Sequence, residues 1–356
     1  MMARSFLGAV APLAVGFALA VALHLAAGSL IAPFYVKLLM DIGINVILAV
    51  SLNLVNGFTG QFSIGHAGFM AVGGYAAGVI TYYGSFLLFG NTHVAEGWLT
   101  GGDLLFVGGC LFGAVLAALA GFVVGLPSLR LRGDYLAIVT LGFGEILRVL
   151  LQRTGDVLQT AEQVEKAGVG TLATSLGGSL GFSGLPYYTD LFWVYVFVTI
   201  TLVVALRLKF SSLGRAFLSI RENEIAAEAV GVNTTRLKVR AFVLAAGFAG
   251  IAGGLFAHEI GTSLNPRELG FQKSFDVVIM VVLGGMGSVS GAVLAAIVLT
   301  LLPEALRGFS EFRMPIYALA LILMMILRPQ GILGLKEVWE LAWIRGRKAP
   351  TPEAPR

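Results

Sequence analysis

Runs of about 20 apolar residues, the length of helix that crosses the hydrocarbon of a bilayer, recur along the chain. They exclude most folds a 356-residue protein might otherwise adopt. In lipid every backbone N–H and C=O must be satisfied within the segment, so such runs fold as helices. A hydrophobic fraction of 57%, only 12% charged residues and a mean hydropathy of +0.87 leave no room for a soluble domain of comparable size. The net charge of +4 would elsewhere suggest nucleic acid, but the basic residues cluster beside hydrophobic runs, where they act as topology signals. The 47 glycines are dispersed within those runs, as expected where membrane helices approach closely. Cys110 is the only cysteine, so no intramolecular disulfide forms. The expected fold is an all-α polytopic membrane protein of about 8–10 transmembrane or re-entrant helices.

One stretch does not belong in hydrocarbon. Residues 207–240 carry seven basic residues (Arg207, Lys209, Arg215, Arg221, Arg236, Lys238, Arg240) against three acids (Glu222, Glu224, Glu228). At about 100° per residue, Leu213, Ala216, Ile220, Ala227 and Val230 fall on one helical face. Gly231 is a natural stop in the left-handed conformation. Two readings fit: a cytoplasmic knob on which a partner docks, or a helix lying in the headgroup layer of a positive-inside loop.

Taken in order, residues 5–33 read as an uncleaved first span, because a signal peptide has a shorter apolar core. The second, over 36–57, carries Asp41, Asn45, Asn53 and Asn56. Asp41, Asn45 and Asn56 lie within about 60° of one another on a helical wheel. Such a polar stripe faces other helices or a water-filled path. The stretch 57–68 then interrupts helix with glycines at 57, 60, 65 and 68, with Thr59, Gln61, Ser63 and His66 between them. Each interior glycine weakens a helix by about 1 kcal/mol relative to alanine. Broken helices of this kind often build a transporter's substrate site. A plain turn between spans is the simpler alternative, and His66 alone reads first as a hydrogen-bonded structural residue.

In the fourth span Gly109, Gly113, Ala117, Gly121 and Gly125 recur every four residues, a stripe for close helix packing. Arg130 and Arg132 mark an inner loop. The fifth span places Asp134, Glu145, Arg148 and Gln152 on one face, and the spacing of Glu145 and Arg148 predicts an ion pair. The acid-rich stretch 153–188 belongs outside and is long enough to be a docking surface rather than a minimal connection. Spans follow near 189–206 and 241–258, then an outer loop with Arg267, Glu268 and Lys273. With both 207–240 and the basic tail inside, 274–306 must start and finish outside, so the glycines of 284–291 form a hairpin turn, which the pattern also allows to be re-entrant. The domain reading is one transmembrane domain, 1–335, and a cytoplasmic basic tail, 336–356.

The chain has no G-x-x-x-x-G-K-[ST] and so no P-loop for ATP. Its four histidines, 24, 66, 93 and 258, lack metal-ligand spacing, and no cofactor or metal is expected. Rivals from other classes are a proton-coupled secondary transporter using Asp134 or Glu145, and an intramembrane enzyme using His66.

The segments LNLVNGFTGQFSIGHAGFMAVGGY (52–75), RLRGDYLAIVTLGFGEILR (130–148) and GRAFLSIRENEIAAEAVGVNTTRLKVRAFVLAAGFAGIAGGLFA (214–257) closely resemble the branched-chain amino-acid ABC transporter permeases, and within them the larger of the two paired membrane subunits. GGMGSVSGAVLAA (284–296) and RPQGILG (328–334) fit the same pattern. The resemblance covers nearly the whole chain after the first span. It implies a bacterial inner-membrane importer with a second similar permease, two cytoplasmic ATPases that hydrolyse ATP, and an extracytoplasmic solute-binding protein. It also implies that the coupling loop to the ATPase is 214–231, with Gly214, Arg221, Glu222, Asn223, Glu224, Ala227 and Gly231 as its residues. Asn53, Gly60, Gln61, Ser63 and His66 are the pathway candidates. The 153–188 loop departs from the family pattern by looking expanded. Related permeases for urea or short amides remain the alternative within the class.

Overall fold

The computed structural model describes residues 2–27, 31–92, 100–128, 135–259, 263–309, 313–328 and 330–340. Fourteen α-helices are seen there: α1 Met2–Ala27, α2 Pro33–Asn53, α3 His66–Phe89, α4 Gly101–Ser128, α5 Tyr135–Gln152, α6 Ala161–Lys166, α7 Val169–Thr174, α8 Leu191–Phe210, α9 Ser212–Glu222, α10 Glu224–Ala229, α11 Thr234–Ala257, α12 Phe271–Gly284, α13 Val289–Ala305 and α14 Arg313–Leu327. Among the described residues, seven segments are long and apolar enough to cross a bilayer: Pro33–Phe58, His66–Phe89, Gly101–Pro127, Tyr135–Gln152, Leu191–Phe210, Thr234–Ala257 and Val289–Gly308. No strand occurs among the described residues, only isolated bridges between Gly155 and Ser175 and between Phe182 and Leu264. The expected all-α polytopic membrane fold is what forms.

Helices have no hydrophobic drive to associate within lipid, so the centre is built where small residues let backbones touch. The packed trio α3, α4 and α11 meets at Gly73, Gly113 and Gly250. A Cβ on Gly73 would enter the Gly250 backbone, and one on Gly113 would strike the Gly73 carbonyl. The four-residue stripe of α4 supplies these contacts, with Gly109 against Ala77 and Gly121 against Ala246. Gly250→Leu is therefore expected to lower stability by about 3 kcal/mol, the upper end for overpacking. The midpoint of thermal unfolding in detergent reads it; an unchanged midpoint would mean the trio can splay without cost.

Around this trio, α2 packs against α8, α11, α12 and α13, and α1 lies along α8. The ends of the bundle differ. Arg207, Lys209, Arg215, Arg221, Arg236 and Arg240 gather at the end that carries α9 and α10, which the positive-inside rule assigns to the cytoplasm. The 153–188 segment sits at the opposite end of α3, where Tyr83 Oη donates to the Ser175 carbonyl at 2.5 Å and Tyr82 Oη to that of Leu158 at 3.2 Å. It is folded, with α6 capped by Thr160 and Gly155 N–H donating to the Thr174 carbonyl at 2.8 Å.

Several expected boundaries move. The basic stretch is not one helix: α8 runs on to Phe210 and α11 begins at Thr234, leaving α9 and α10 between them. Asn223 breaks them apart because its Oδ1 accepts from Ala226 N–H at 3.0 Å, capping a new helix. Val230, expected on one face with Ile220 and Ala227, is 80% exposed while those two are buried. Lys273 belongs to α12 rather than to a loop. Asp134, Arg130, Arg132, His93 and the tail from 341 onward lie outside the described residues.

The 274–306 hairpin forms as α12 and α13, with its turn at the end that carries α9 and α10. At 1.5 Å per residue α12 is only about 21 Å long, short of the roughly 30 Å hydrocarbon. It starts partway down: Phe271 N–H donates to Glu145 Oε1 at 3.0 Å, about 15 Å along α5 from its first residue. The predicted ion pair is present there, with Arg148 Nε 2.7 Å from Glu145 Oε2. Leu264 is drawn in likewise, its carbonyl accepting from Tyr75 Oη at 2.7 Å. The outer ends of the bundle are thus lined by irregular backbone buried in protein.

Candidate functional site

Two breaks in helical structure meet at the end of the bundle that carries α9 and α10. In the first, α2 widens into a π-helical turn over Leu54–Phe58, and the chain is extended until α3 starts at His66. Asn56 pins this extended piece by exchanging two bonds with Ser63: Ser63 N–H donates to Asn56 Oδ1 at 3.1 Å and Asn56 Nδ2 to the Ser63 carbonyl at 3.4 Å. Thr59 Oγ1 caps the turn onto the Val55 carbonyl at 2.8 Å. Gln61 N–H returns to the same carbonyl at 3.3 Å, and Ile64 N–H reaches Thr140 Oγ1 at 3.1 Å. A buried break is tolerable only with this degree of satisfaction.

The second break is the α12–α13 turn, where Gly287 adopts a φ of 96° that favours glycine. Asn53 joins the two: Gly287 N–H donates to its Oδ1 at 2.8 Å while its Nδ2 donates to the Ser288 carbonyl at 3.0 Å. Gly57 has to lack a side chain here, since a Cβ would collide with Asn53 and with Gly287 N. Arg221, on the last turn of α9, closes the junction. Its Nη1 donates to the carbonyls of Gly57 at 2.8 Å and Met286 at 3.1 Å, one from each break.

A third strand of the junction was not legible beforehand. After α14 the chain turns back so that Ile332 N–H donates to the Leu283 carbonyl at 2.7 Å, and Glu337 plugs into the start of α13. The Glu337 side chain is fully buried and accepts from Val289 N–H at 3.0 Å, Ser290 N–H at 2.8 Å and the Ser290 hydroxyl. Lys209 of α8 pairs with it and also donates to the Gly287 carbonyl at 2.8 Å. Burial pushes this carboxyl up, but Lys209, Ser290 and the Val289 amide together outweigh it and hold it below the usual carboxylate range. A carboxylate at a helix N-terminus is also favoured by the helix dipole. In the sequence, only the serines after a glycine cluster hinted at the α13 cap.

Each predicted coupling residue now has a place. Gly214 is buried in the α8–α9 turn, where a Cβ would hit the Leu208 and Lys209 carbonyls. Phe217 and Ile220 anchor α9, and Ala227 anchors α10, all buried. Glu224 turns back to Lys238 at 2.5 Å, and Thr234 Oγ1 donates to Glu228 at 2.6 Å, tying α10 to the start of α11. Gly231 ends α10 with a φ of 87°, as its position predicted. Glu222 and Asn223 are exposed, and beside them Ile225, which sequence reasoning passed over, is 70% exposed. The tip therefore offers Glu222, Asn223, Ile225 and Val230 outward on a frame held by Arg221, Glu224 and Ala227.

The pathway candidates gather at the first break. Asn53, Gln61, Ser63 and His66 are buried, while Gly60 is exposed with Arg221 beside it. His66 Nε2 lies 2.8 Å from Ser51 Oγ, and both side chains are buried without room for a substrate between them. An intramembrane Ser/His enzyme needs that access.

The profile of the family described as "Branched-chain amino acid transport system / permease component" matches residues 34–328. The chain is 38% identical over 309 residues to the high-affinity branched-chain amino acid transport system permease protein LivM of Salmonella typhimurium, covering 82% of this chain and 68% of that protein. The LivM of Escherichia coli K12 matches at the same identity and coverage. LivH of Escherichia coli K12 is 25% identical over 296 residues, covering 82% of this chain and 92% of LivH. No solved structure gives a significant match.

Proposed function

This multi-pass membrane protein belongs to the family of branched-chain amino-acid transport system permease components, and on that premise we propose that it is one translocating subunit of an ABC importer in a bacterial inner membrane. Its cargo is a branched-chain or related hydrophobic amino acid, handed over by an extracytoplasmic binding protein that docks on the folded 153–188 segment. A second, LivH-like permease completes the pathway, and two ATPases seat on α9 and α10. The chain itself needs no cofactor. The tail from 336 stays on the cytoplasmic side.

The observation that carries this reading is the Arg221 bridge, which joins the exposed α9–α10 tip to both helix breaks at once. ATP binding closes the ATPases, the tip is pushed, and both breaks shift as one unit, so the bundle exchanges outward and inward openings. Asn53, Gly60, Gln61, Ser63 and His66 form the moving inner gate of the pathway. A proton relay gains no support from Glu145, which is committed to Arg148 and to the Phe271 amide.

The test is reconstitution of the complete transporter in vesicles with radiolabelled leucine. Uptake is expected to require the ATPases and enclosed ATP. Adding charge at the apolar tip, Ile225→Glu with Val230→Glu, is expected to lower it at least about tenfold, since each desolvated charge placed against an apolar cleft costs more than the 1.4 kcal/mol that a factor of ten requires. Uptake that survives without ATPases but collapses with an uncoupler would replace this reading by secondary transport.

A further inference from the structure

Away from the coupling end, between α2, α11 and α12, lies a cluster of charge that the gate does not use. Lys37, Asp41 and Asn45 recur every four residues on α2, Lys273 and Asp276 sit three apart on α12, and Glu259 follows the end of α11. Asn45 is the hub: Lys273 Nζ donates to its Oδ1 at 3.0 Å, and its Nδ2 donates to Thr300 Oγ1 of α13 at 3.0 Å. Asp41, Glu259, Glu268 and Asp276 all bear on the charge of Lys273. The cluster thus places two ammonium groups, Lys37 and Lys273, among several carboxylates, with Lys37 paired to Glu259 at 3.7 Å.

Glu259 is the odd member. Its side chain is fully buried and forms an ion pair with Lys37 Nζ at 3.7 Å, yet neither of its oxygens accepts a hydrogen bond from the described residues. Buried carboxylates are held by donors, and one left without them is a place where a ligand's N–H groups would be favoured. Charged groups within a membrane domain mark the route of a polar solute. Lys37, Asp41, Lys273 and Asp276 are all partly or fully exposed, so the cluster opens outward from Glu259.

Resting on the importer reading above, we infer that this cluster is the site in the pathway that recognises the main chain of a zwitterionic α-amino acid. The substrate ammonium brings three N–H donors to Glu259 and Asp41. Its carboxylate is met by Lys273, which Asn45 holds in place, and by Lys37. The aliphatic side chain plays no part in this recognition, so the subsite serves every amino acid that the binding protein releases.

The complete transporter in vesicles tests this through the number of leucine molecules accumulated per ATP hydrolysed. Glu259→Gln is expected to lower that ratio at least tenfold, and Glu259→Asp to restore part of it. Should the Glu259 variants fail to assemble, Asp41→Asn, at the partly exposed edge, takes the same measurement with the same expected fall. An unchanged ratio in an assembled variant overturns the site, including the case where uptake and hydrolysis fall together. Wild-type uptake that stops when sodium is replaced by choline also overturns it, assigning the carboxylate to a resident cation. A wild-type transporter that accumulates no leucine with ATP refutes the importer reading instead, before any variant is compared.

Discussion

Arg221→Ala is expected to lower ATP-driven leucine uptake by about 100-fold or more while the tip still engages the ATPases. The guanidinium makes two hydrogen bonds to carbonyls, and each bond to a charged group contributes about 1.5–3 kcal/mol. Losing both removes at least about 3 kcal/mol of the link between α9 and the two breaks, and every 1.4 kcal/mol is a factor of ten. Glu222, Asn223 and Ile225 remain outward on α9 and α10, whose own anchors, Phe217, Ile220 and Ala227, are untouched. Hydrolysis without transport is therefore the expected signature, read as phosphate released against leucine accumulated. Arg221→Lys separates geometry from charge. A lysine is a point charge without the planar fork and reaches one of the two carbonyls well, so it is expected to recover only part of the loss. Wild-type uptake by the alanine variant would show that the push travels by another route.

Glu337→Ala is expected to have the largest effect on stability, about 3–5 kcal/mol, because breaking a buried ion pair leaves its partner uncompensated. Lys209 would keep only the Gly287 carbonyl, and the first amides of α13 would lose their acceptor. The segment 330–340 would then detach from the α12–α13 turn. Thermal unfolding in detergent reads the loss, and proteolysis after residue 328 reads the release; a variant that melts with the wild type would mean water replaces the carboxylate without cost. The pH dependence has a definite sign. Since the folded state holds this carboxyl below its ordinary value of 4.5, its contribution is whole at neutral pH, begins to fade as pH falls through that value, and is gone below the depressed folded one. Between those limits wild type and Glu337→Ala are expected to converge.

Much of the frame could be read before any coordinates. The broken stretch after Gly57, the α4 stripe, the Glu145–Arg148 pair and the stop at Gly231 are all local patterns, in which the residues that interact are a few positions apart. The α12–α13 hairpin was also legible, as a glycine-rich break between two apolar runs. The split of α9 from α10 was also present, as an asparagine followed by a helix-forming run, but a continuous apolar face across it does not reveal that cap. Val230, on that face by periodicity, is exposed in the structure. Assignment of the coupling loop came from resemblance, since periodicity alone left a headgroup-layer helix equally open.

What the sequence by itself determined is the kind of fold and the places where helix must fail, because bilayer thickness and backbone hydrogen bonding act on each segment separately; the count of about 8–10 spans or re-entrant helices became seven segments long enough to cross among the described residues. Only the tertiary structure decided what those failures touch. Gly57 and Met286 share Arg221, Ser290 and Lys209 share Glu337, and Lys37 pairs with Glu259, across separations of 47 to 222 residues. No pattern within a window fixes such partners; they are chosen when small residues let α3, α4 and α11 close and so bring the remaining elements to the same two ends.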